Sequence, residues 1–192
     1  MQKLIVFNSV SLDGYFSDAN SDMSFAHNAI PDVEWDAFVE SNASGGGTLL
    51  FGRITYELMA NFWPTAQAAE QMPVVAERMN NLTKVVFSRT LDKVSWSNTK
   101  LVKNDLMGEI RKMKNEAGEG MAILGSGSIV SQLTDYRLID EYQIVVIPVV
   151  LGKGRTMFEG VAQNLPLRLI KTRSFINGNV LLCYEPKLAD KI

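Results

Sequence analysis

The chain has 192 residues, a length typical of one domain, and 46% of them are hydrophobic, so a core can form without disulfides or metal. Its formal net charge is −2 and the 19 basic residues are scattered, which argues against a nucleic-acid-binding surface. One cysteine, Cys183, and one histidine, His27, exclude an internal disulfide and leave zinc few ligands. Because no apolar run is long enough to cross a bilayer and no signal peptide is indicated, we expect a cytoplasmic protein without metal.

Hydrophobic segments and turn residues predict alternating strands and helices. In chain order the first predicted elements are a strand at 4–10, a polar loop at 15–31, a helix from Asp32 to the glycines at 45–47 and a strand at 48–51. Helices at 54–60 and 73–81 and strands at 83–87 and 100–103 come next. They are followed by a helix at 106–115, a strand at 121–124, a helix ending near 133 and a strand at 141–150. A hairpin follows, with strands at 167–175 and 179–184 around the Asn177-Gly178 turn. We expect one domain over residues 1–186 and a short tail at 187–192.

This order of elements predicts the α/β class. Residues 141–150 are nearly all apolar, which suits a central strand that is buried on both faces. The alternation before that strand is typical of an α/β domain, and the hairpin adds an antiparallel pair at the C-terminus. The sequence therefore predicts a three-layer domain with a mixed sheet, flanking helices and a C-terminal antiparallel hairpin.

Three predicted strand-to-helix junctions carry glycine, serine or arginine. They are Gly52-Arg53, Ser88-Arg89 and Gly125-Ser126-Gly127-Ser128. In an α/β sheet, ligands bind beyond the carboxyl ends of strands, where helix N-termini offer unpaired N–H groups to phosphate. We interpret the three junctions as a nucleotide-phosphate site; a serine-capped turn and two surface arginines are the structural alternatives.

Two further features lie in predicted turns. Asp13 follows the first strand, where it either faces the mouth of a site or forms a turn before Gly14. The segment Gly152-Lys153-Gly154-Arg155 follows the apolar strand, and it either wraps a negatively charged substrate group or forms an exposed, charged turn. We expect His27 in a solvent-exposed loop and Cys183 in the core.

The order and spacing of these motifs resemble the dihydrofolate reductase superfamily, and most closely the reductase domain of the bifunctional riboflavin-biosynthesis enzymes. The matching pieces span nearly the whole chain and comprise residues 11–14, 51–57, 85–91, 124–127 and 148–155. The resemblance implies a dihydrofolate reductase-like fold, with NADPH lying across the strand ends of a mixed sheet. It also implies a homodimer.

The resemblance also implies roles for individual residues. The implied cofactor contacts are Gly52, Arg53 and Thr55 at the phosphates, Ser88 and Arg89 at the adenosine 2′-phosphate, Gly125, Ser126, Gly127 and Ser128 at the pyrophosphate, and Gly14 near the nicotinamide. The implied substrate contacts are Asp13, Gly152, Lys153, Gly154 and Arg155. Asp13, directly or through water, is the candidate for supplying a proton, and Asp36 is the second catalytic candidate because its spacing from Gly52 is similar to that of the folate enzymes' substrate carboxylate.

The sequence thus predicts an NADPH-dependent reductase of a small pterin-like, pyrimidine-like or ribosyl-derived substrate, similar to a 5-amino-6-(5-phosphoribosylamino)uracil reductase. Because the nicotinamide carries the hydride, the protein needs only to orient two rings and supply a proton, which explains the lack of a conspicuous catalytic cluster. The alternative is a non-catalytic, dimeric nucleotide- or metabolite-binding protein with the same fold. Both hypotheses predict NADPH binding, but only the first predicts NADPH oxidation.

Overall fold

The computed structural model describes residues 1–27, 30–43 and 47–187. Its strands are β1 (Leu4–Ser11), β2 (Tyr15–Asp18), β3 (Thr48–Gly52), β4 (Thr83–Phe87), β5 (Thr99–Val102), β6 (Met121–Leu124), β7 (Glu141–Ile147), β8 (Gly154–Thr156), β9 (Leu167–Ser174) and β10 (Val180–Pro186). Its helices are α1 (Val33–Ala43), α2 (Arg53–Phe62), α3 (Ala66–Gln71), α4 (Pro73–Asn81), α5 (Leu106–Asn115) and α6 (Gly127–Asp135), together with a 3₁₀ turn at Ser24–Ala26. The main sheet is mixed and has eight strands, ending in the antiparallel pair β9 and β10, so the predicted fold class is confirmed.

The chain divides into two compact units. The first unit comprises Met1–Gln2 and Val33–Ser126, and the second comprises Lys3–Asp32 and Gly127–Ile192. The expectation of a single domain over 1–186 stays a prediction.

The first unit contains a parallel sheet with the strand order β5-β4-β3-β6. Leu50 of β3 lies opposite Val85 of β4 and Ile123 of β6, and all three are buried. Parallel strands of this kind are typically apolar on both faces. One buried cluster contains Phe51 and Trp96, whose ring centres are 6.0 Å apart. This arrangement brings the carboxyl ends of β4, β3 and β6 to one edge of the unit's sheet.

A buried lysine, Lys84, caps the C-terminus of α4. Lys84 has no exposed surface, and its ammonium donates to the carbonyl oxygens of Met79, Asn80 and Leu82 at 2.8, 3.1 and 2.6 Å. The ammonium also lies 4.5 Å from the centre of the Trp96 ring. The last carbonyls of a helix have no intrahelical partner and carry partial negative charge, so a cation suits them. Burial nevertheless lowers the pKa of Lys84 from 10.5 to about 8, because desolvation disfavours the charged form.

The second unit has the strand order β1-β7-β10-β9, with β1 and β7 parallel and the other pairs antiparallel. β7 is therefore central, as its apolar sequence predicts. It ends at Ile147 and not at 150, because Pro148 has no N–H with which to extend the ladder. Within the described parts of the chain, β9 has a hydrogen-bonded neighbour on one side only. β2 and β8 form a separate two-stranded antiparallel sheet, which we call the ribbon.

Several elements differ from the prediction. Residues 15–31 were expected to form a loop, but they contain β2 and the 3₁₀ turn, because β2 pairs with a strand far along the chain. The short helix α3 was not expected. It begins after Thr65, whose Oγ1 accepts the amide of Ala68 at 3.2 Å as an N-terminal cap.

The first helix begins at Val33, directly after Asp32 as expected, and ends at Ala43. Asp32 is buried, and its carboxylate accepts the amide of Asn177 at 3.0 Å. Of the glycine triplet predicted to stop this helix, Gly45 and Gly46 lie outside the described residues. Among the residues that are described, no helix has both the length and the apolar character needed to cross a membrane.

Candidate functional site

The first unit places three predicted junctions at the same edge of its sheet. β4, β3 and β6 are neighbours in a parallel arrangement, and each is followed directly by one junction. Arg53 begins α2 after β3, Ser88 and Arg89 follow β4, and Gly125 and Ser126 follow β6. The carboxyl edge of a parallel sheet is where α/β proteins bind their ligands. The geometry of this unit therefore agrees with a common anion site for the three junctions.

Gly125 and Ser126 form a left-handed turn, with φ angles of +66° and +59°. A Cβ on Gly125 would lie 2.5 Å from Oγ1 of Thr55, so only glycine fits there without displacement. The amide of Ser126 donates to Oγ1 of Thr55 at 3.1 Å, and the two hydroxyl groups are also 3.1 Å apart. The amide of Gly52 donates to Oγ of Ser126 at 2.5 Å. These bonds join the turn after β6 to the start of α2.

The side chains of Thr55 and Ser126 are therefore hydrogen-bonded to each other. Both are buried, and the amides of Gly52 and Ser126 already have acceptors in the same unit. The two side chains thus hold the shape of the turn. In the second unit, α6 begins at Gly127, followed by Ser128, which is exposed. The first amides of a helix have no intrahelical acceptor and are suited to an anion.

Two cations accompany the junctions of the first unit. Arg53 forms an ion pair with Glu57 at 2.9 Å, but both side chains are more than 40% exposed, so the pair is weak. Arg89 is exposed and has no ion-pair partner among the described residues. Ser88 holds the turn in which Arg89 lies, since its Oγ accepts the amides of Thr90 at 3.2 Å and Leu91 at 3.0 Å. Arg89 is therefore the cation of this edge that is most available to a phosphate.

The second unit contains Asp13, which is exposed but fully engaged in hydrogen bonds. Its Oδ1 accepts the hydroxyl of Ser11 at 2.6 Å and the amide of Leu151 at 3.1 Å, and its Oδ2 accepts the amide of Gly152 at 2.7 Å. The Ser11 hydroxyl, followed by the two amides, lowers the pKa of Asp13 below its ordinary value of 3.8. Asp13 is therefore an anion at neutral pH. Sequence analysis assigned no role to Ser11, because its contact with Asp13 is between two side chains and leaves no local signal.

The predicted charged loop after β7 is partly a strand. Gly154 and Arg155 belong to β8, where they pair with Asp18 and Ser17 of β2. Lys153 and Arg155 are exposed, and neither has an ion-pair partner in the ranges that the structure describes. The loop thus offers two cations that internal carboxylates do not neutralise.

The two catalytic candidates fall in different units. Asp13 follows β1 in the second unit, whereas Asp36 lies exposed on the first turn of α1 in the first unit. Acidic residues in the first turn of a helix also interact favourably with the helix dipole, which gives Asp36 a structural role of its own. Cys183 is buried in β10, as expected, and burial raises the pKa of its thiol.

A mixed sheet flanked by helices, with an antiparallel hairpin at the C-terminus, is the arrangement of a dihydrofolate reductase-like fold. The chain belongs to the RibD C-terminal domain family, whose model matches residues 2–181. An uncharacterized protein of Bacillus subtilis (strain 168), YyaP, is 25% identical over 184 residues, which cover 96% of this chain and 95% of YyaP.

Three solved structures share the fold. A protein of Shewanella sp. PV-4, provisionally described as a riboflavin biosynthesis protein, has a TM-score of 0.70 at 24% identity, covering 98% of this chain and 100% of its own. The diaminohydroxyphosphoribosylaminopyrimidine deaminase/5-amino-6-(5-phosphoribosylamino)uracil reductase of Thermotoga maritima has a TM-score of 0.67 at 15% identity, covering 97% of this chain and 57% of its own. Dihydrofolate reductase of Enterococcus faecalis, solved with NADP(H), has a TM-score of 0.63 at 14% identity and 97% coverage of both chains.

Proposed function

We propose that the protein is an NADPH-dependent reductase of a small heterocyclic or ribosyl-derived substrate. The observation that carries the proposal is the convergence of three glycine-, serine- or arginine-bearing junctions at the carboxyl ends of β4, β3 and β6. Family membership supports an oxidoreductase-like activity, and one protein with the same fold was solved with NADP(H). NADPH supplies the hydride when it is bound, so the chain's own residues have to bind, orient and deliver a proton.

The phosphate contacts follow from which groups remain available. The side chains of Ser126 and Thr55 are hydrogen-bonded to each other and shape the turn. They therefore affect the cofactor through the backbone conformation of that turn. The first turn of α6, at Gly127 and Ser128, supplies N–H groups to the pyrophosphate. Arg53 adds a cation whose exposed pair with Glu57 is readily exchanged for a phosphate.

The preference for NADPH over NADH is assigned to Arg89. The two coenzymes differ by the adenosine 2′-phosphate. The Arg89 guanidinium is exposed and has no ion-pair partner within residues 1–27, 30–43 and 47–187, so it suits that group. Ser88 restrains the turn that carries Arg89, which lowers the entropy lost when the phosphate binds.

The substrate side of the proposal rests on Lys153 and Arg155. Two exposed cations without ion pairs favour a substrate that carries an anionic group. The Thermotoga maritima protein with the same fold is named for a phosphoribosylamino substrate, which is of that class. Asp36 supplies the proton in this proposal, because the Asp13 carboxylate already accepts three hydrogen bonds.

Thermal unfolding with each coenzyme tests the cofactor assignment. A ligand at a hundredfold excess over its Kd stabilises by about 2.7 kcal/mol, which corresponds to roughly 5–10 °C in Tm for a chain of this size. NADPH is expected to give the larger shift, and Arg89→Ala is expected to weaken NADPH binding by about tenfold or more while leaving NADH unchanged. Equal shifts with both coenzymes would contradict the role of Arg89.

Arg78→Ala is the matched control. Arg78 is exposed like Arg89 but lies in the last turn of α4, before the amino end of β4, so its loss is expected to leave both coenzyme affinities unchanged. NADPH oxidation with a panel of pterins, pyrimidine riboflavin precursors and small carbonyl compounds then tests turnover. Binding without oxidation by any of them would favour the non-catalytic nucleotide-binding alternative.

We also propose that the protein is a homodimer in the cytoplasm, on the basis of its resemblance to the riboflavin-pathway reductases. Light scattering after gel filtration measures the mass of the particle and so tests the oligomeric state. A mass of one chain, 21.3 kDa, at micromolar concentration would contradict it.

A further inference from the structure

Two short turns precede the strands of the ribbon, β2 and β8, in the second unit. β2 begins at Tyr15, directly after Asp13 and Gly14, and β8 begins at Gly154, after the turn that contains Gly152. Gly14 and Gly152 have φ angles of +85° and +73°, and a Cβ on either would meet no atom within 4 Å. Both turns are thus open and depend on glycine for their backbone conformation. Hydrogen bonds between the two turns therefore contribute to the angle at which the ribbon leaves the sheet, and one of them runs from the amide of Leu12 to the carbonyl oxygen of Val149 at 2.8 Å.

The Asp13 carboxylate bridges these two turns. It lies in the turn before β2, and it accepts the amides of Leu151 and Gly152 in the turn before β8 at 3.1 and 2.7 Å. One carboxylate therefore connects segments that are 138 and 139 residues apart in the chain. Hydrogen bonds from neutral donors to a charged acceptor are among the stronger ones in proteins.

Ser11 fixes the orientation of that carboxylate. Ser11 is 1% exposed at the end of β1, and its hydroxyl donates to Oδ1 of Asp13 at 2.6 Å. The Oγ of Ser11 in turn accepts the amide of Tyr15, the first residue of β2, at 2.9 Å. A continuous chain of hydrogen bonds therefore runs from the start of β2 through Ser11 and Asp13 to the turn before β8.

We propose that Asp13 and Ser11 form a latch, in which Asp13 is a positioning residue that holds the ribbon and its two cations at a fixed angle. Lys153 lies one residue after Gly152, and Arg155 lies in β8, so both move with the latched turn. That these cations then meet the substrate rests on the proposed function, whereas the latch itself does not.

The bonding of Asp13 favours this role over direct proton donation. All three donors around the carboxylate favour its charged form, because hydrogen bonds to a carboxylate are stronger than hydrogen bonds to a neutral carboxyl group. A proton taken by Asp13 would therefore weaken the latch. The residue serves the reaction through the loop that it holds.

Trypsin tests the latch without any substrate, because it cleaves after Lys153 and Arg155. In Asp13→Asn one amide of the turn faces an NH₂ group, so the turn opens more often. We expect cleavage at these two bonds to become about three- to tenfold faster, with a smaller increase for Ser11→Ala. Asp92→Asn removes an exposed carboxylate of the first unit, and it is the control expected to leave these rates unchanged. Unchanged cleavage in Asp13→Asn would overturn the latch.

Nuclear magnetic resonance separates the latch from a general loss of stability. In the wild type, the amide protons of Leu151 and Gly152 are expected to shift together as the pH falls through the pKa of Asp13, and in Asp13→Asn that shift is expected to vanish. If the amide proton shifts of Leu151 and Gly152 in the wild type did not change through this titration, the proposal would be overturned, even if Asp13→Asn were less stable.

Kinetics then separate the latch from the proposed function. If a substrate is turned over, Asp13→Asn should raise its KM by about tenfold while kcat changes less than threefold. The opposite split would make Asp13 the proton donor and overturn the positioning role. If no substrate is turned over, the proteolysis and amide results still decide the latch, and the reductase proposal alone fails.

Discussion

The hydroxyl groups of Thr55 and Ser126 lie 3.1 Å apart, and the same threonine oxygen accepts the Ser126 amide at 3.1 Å. The two residues come from different junctions of the first unit, and both are buried. One hydroxyl pair therefore ties the start of α2 to the turn after β6. The anion site that we propose depends on this pair for its shape.

Thr55→Val is expected to destabilise the protein. Valine matches threonine in shape but leaves the buried amide of Ser126 without its acceptor, which costs about 1–3 kcal/mol. Urea unfolding measures the loss as a lower midpoint at an unchanged slope. Thr55→Ser keeps the hydroxyl and is the control, with a smaller loss. A valine variant as stable as the wild type would show that the pair contributes nothing.

Gly125→Ala is expected to cost more than Gly14→Ala. Both glycines have positive φ angles, at +66° and +85°, so each substitution carries a backbone cost of about 1 kcal/mol. Only the Cβ at 125 also meets another atom, Oγ1 of Thr55 at 2.5 Å. Chemical denaturation of the two variants side by side isolates the steric part. Equal losses would mean that the turn moves away from Thr55 without cost.

Lys84→Met is expected to lower the free energy of unfolding by about 2–4 kcal/mol. Methionine fills the space of the lysine stem, but the carbonyl oxygens of Met79, Asn80 and Leu82 lose their common donor in a buried place. Lys100→Met, at an exposed lysine paired with Glu109, is the control and should cost less than about 1 kcal/mol. Similar losses in the two variants would contradict a capping role.

The stability of the protein should rise with pH in alkaline solution because of Lys84. Below pH 8 both the folded and the unfolded chain hold the Lys84 proton, so this group gives no pH dependence. Burial lowers its folded pKa from 10.5 to about 8, so between these values the unfolded chain binds a proton that the folded chain has released. The free energy of unfolding therefore rises with pH across that window. Stability measured from pH 7 to 10 should increase relative to Lys84→Met. A relative decrease would mean that the three carbonyls and the Trp96 ring outweigh desolvation.

Cys183 should react slowly with thiol reagents in the folded protein. It is 3% exposed, and burial, followed by the charge of Glu141, raises the pKa of its thiol while Lys171 opposes the rise. We expect modification by an aromatic disulfide reagent to be at least about a hundredfold slower than in urea. The reagent cannot easily reach the buried sulfur, and the raised pKa leaves little of the reactive thiolate. Cys183→Ser gives the blank. Rapid labelling under native conditions would mean that β10 opens locally.

Local signals in the sequence were sufficient for several elements. The helices at 73–81 and 106–115 and the strands at 83–87 and 121–124 have the predicted bounds. Pro73 starts α4 at a position where its missing N–H costs nothing, and Asp105 caps α5 through the amide of Gly108. Such signals act within one turn of a helix, so they can be read without knowing the fold.

The contacts that shape the candidate site could not be found in this way. Thr55 and Ser126 are 71 residues apart, and Asp13 and Gly152 are 139 apart. No periodicity links such positions, since their hydrogen bonds exist only after the strands have been ordered. The ribbon was missed for the same reason: β8 has three residues and is stabilised as a strand only by its distant partner β2.

The exposed side of β9 also bears on how the protein is handled. Among the described residues β9 pairs with β10 alone, and its Leu169 and Ile170 are 49% and 41% exposed. Such a sheet edge is a surface on which other copies of the chain can add as further strands and aggregate. The neighbouring Lys171, which is exposed, gives approaching copies a repelling charge. Since dissolved ions weaken that repulsion within about 10 Å at 0.1 M, concentrated stocks should keep longest in buffers of low ionic strength.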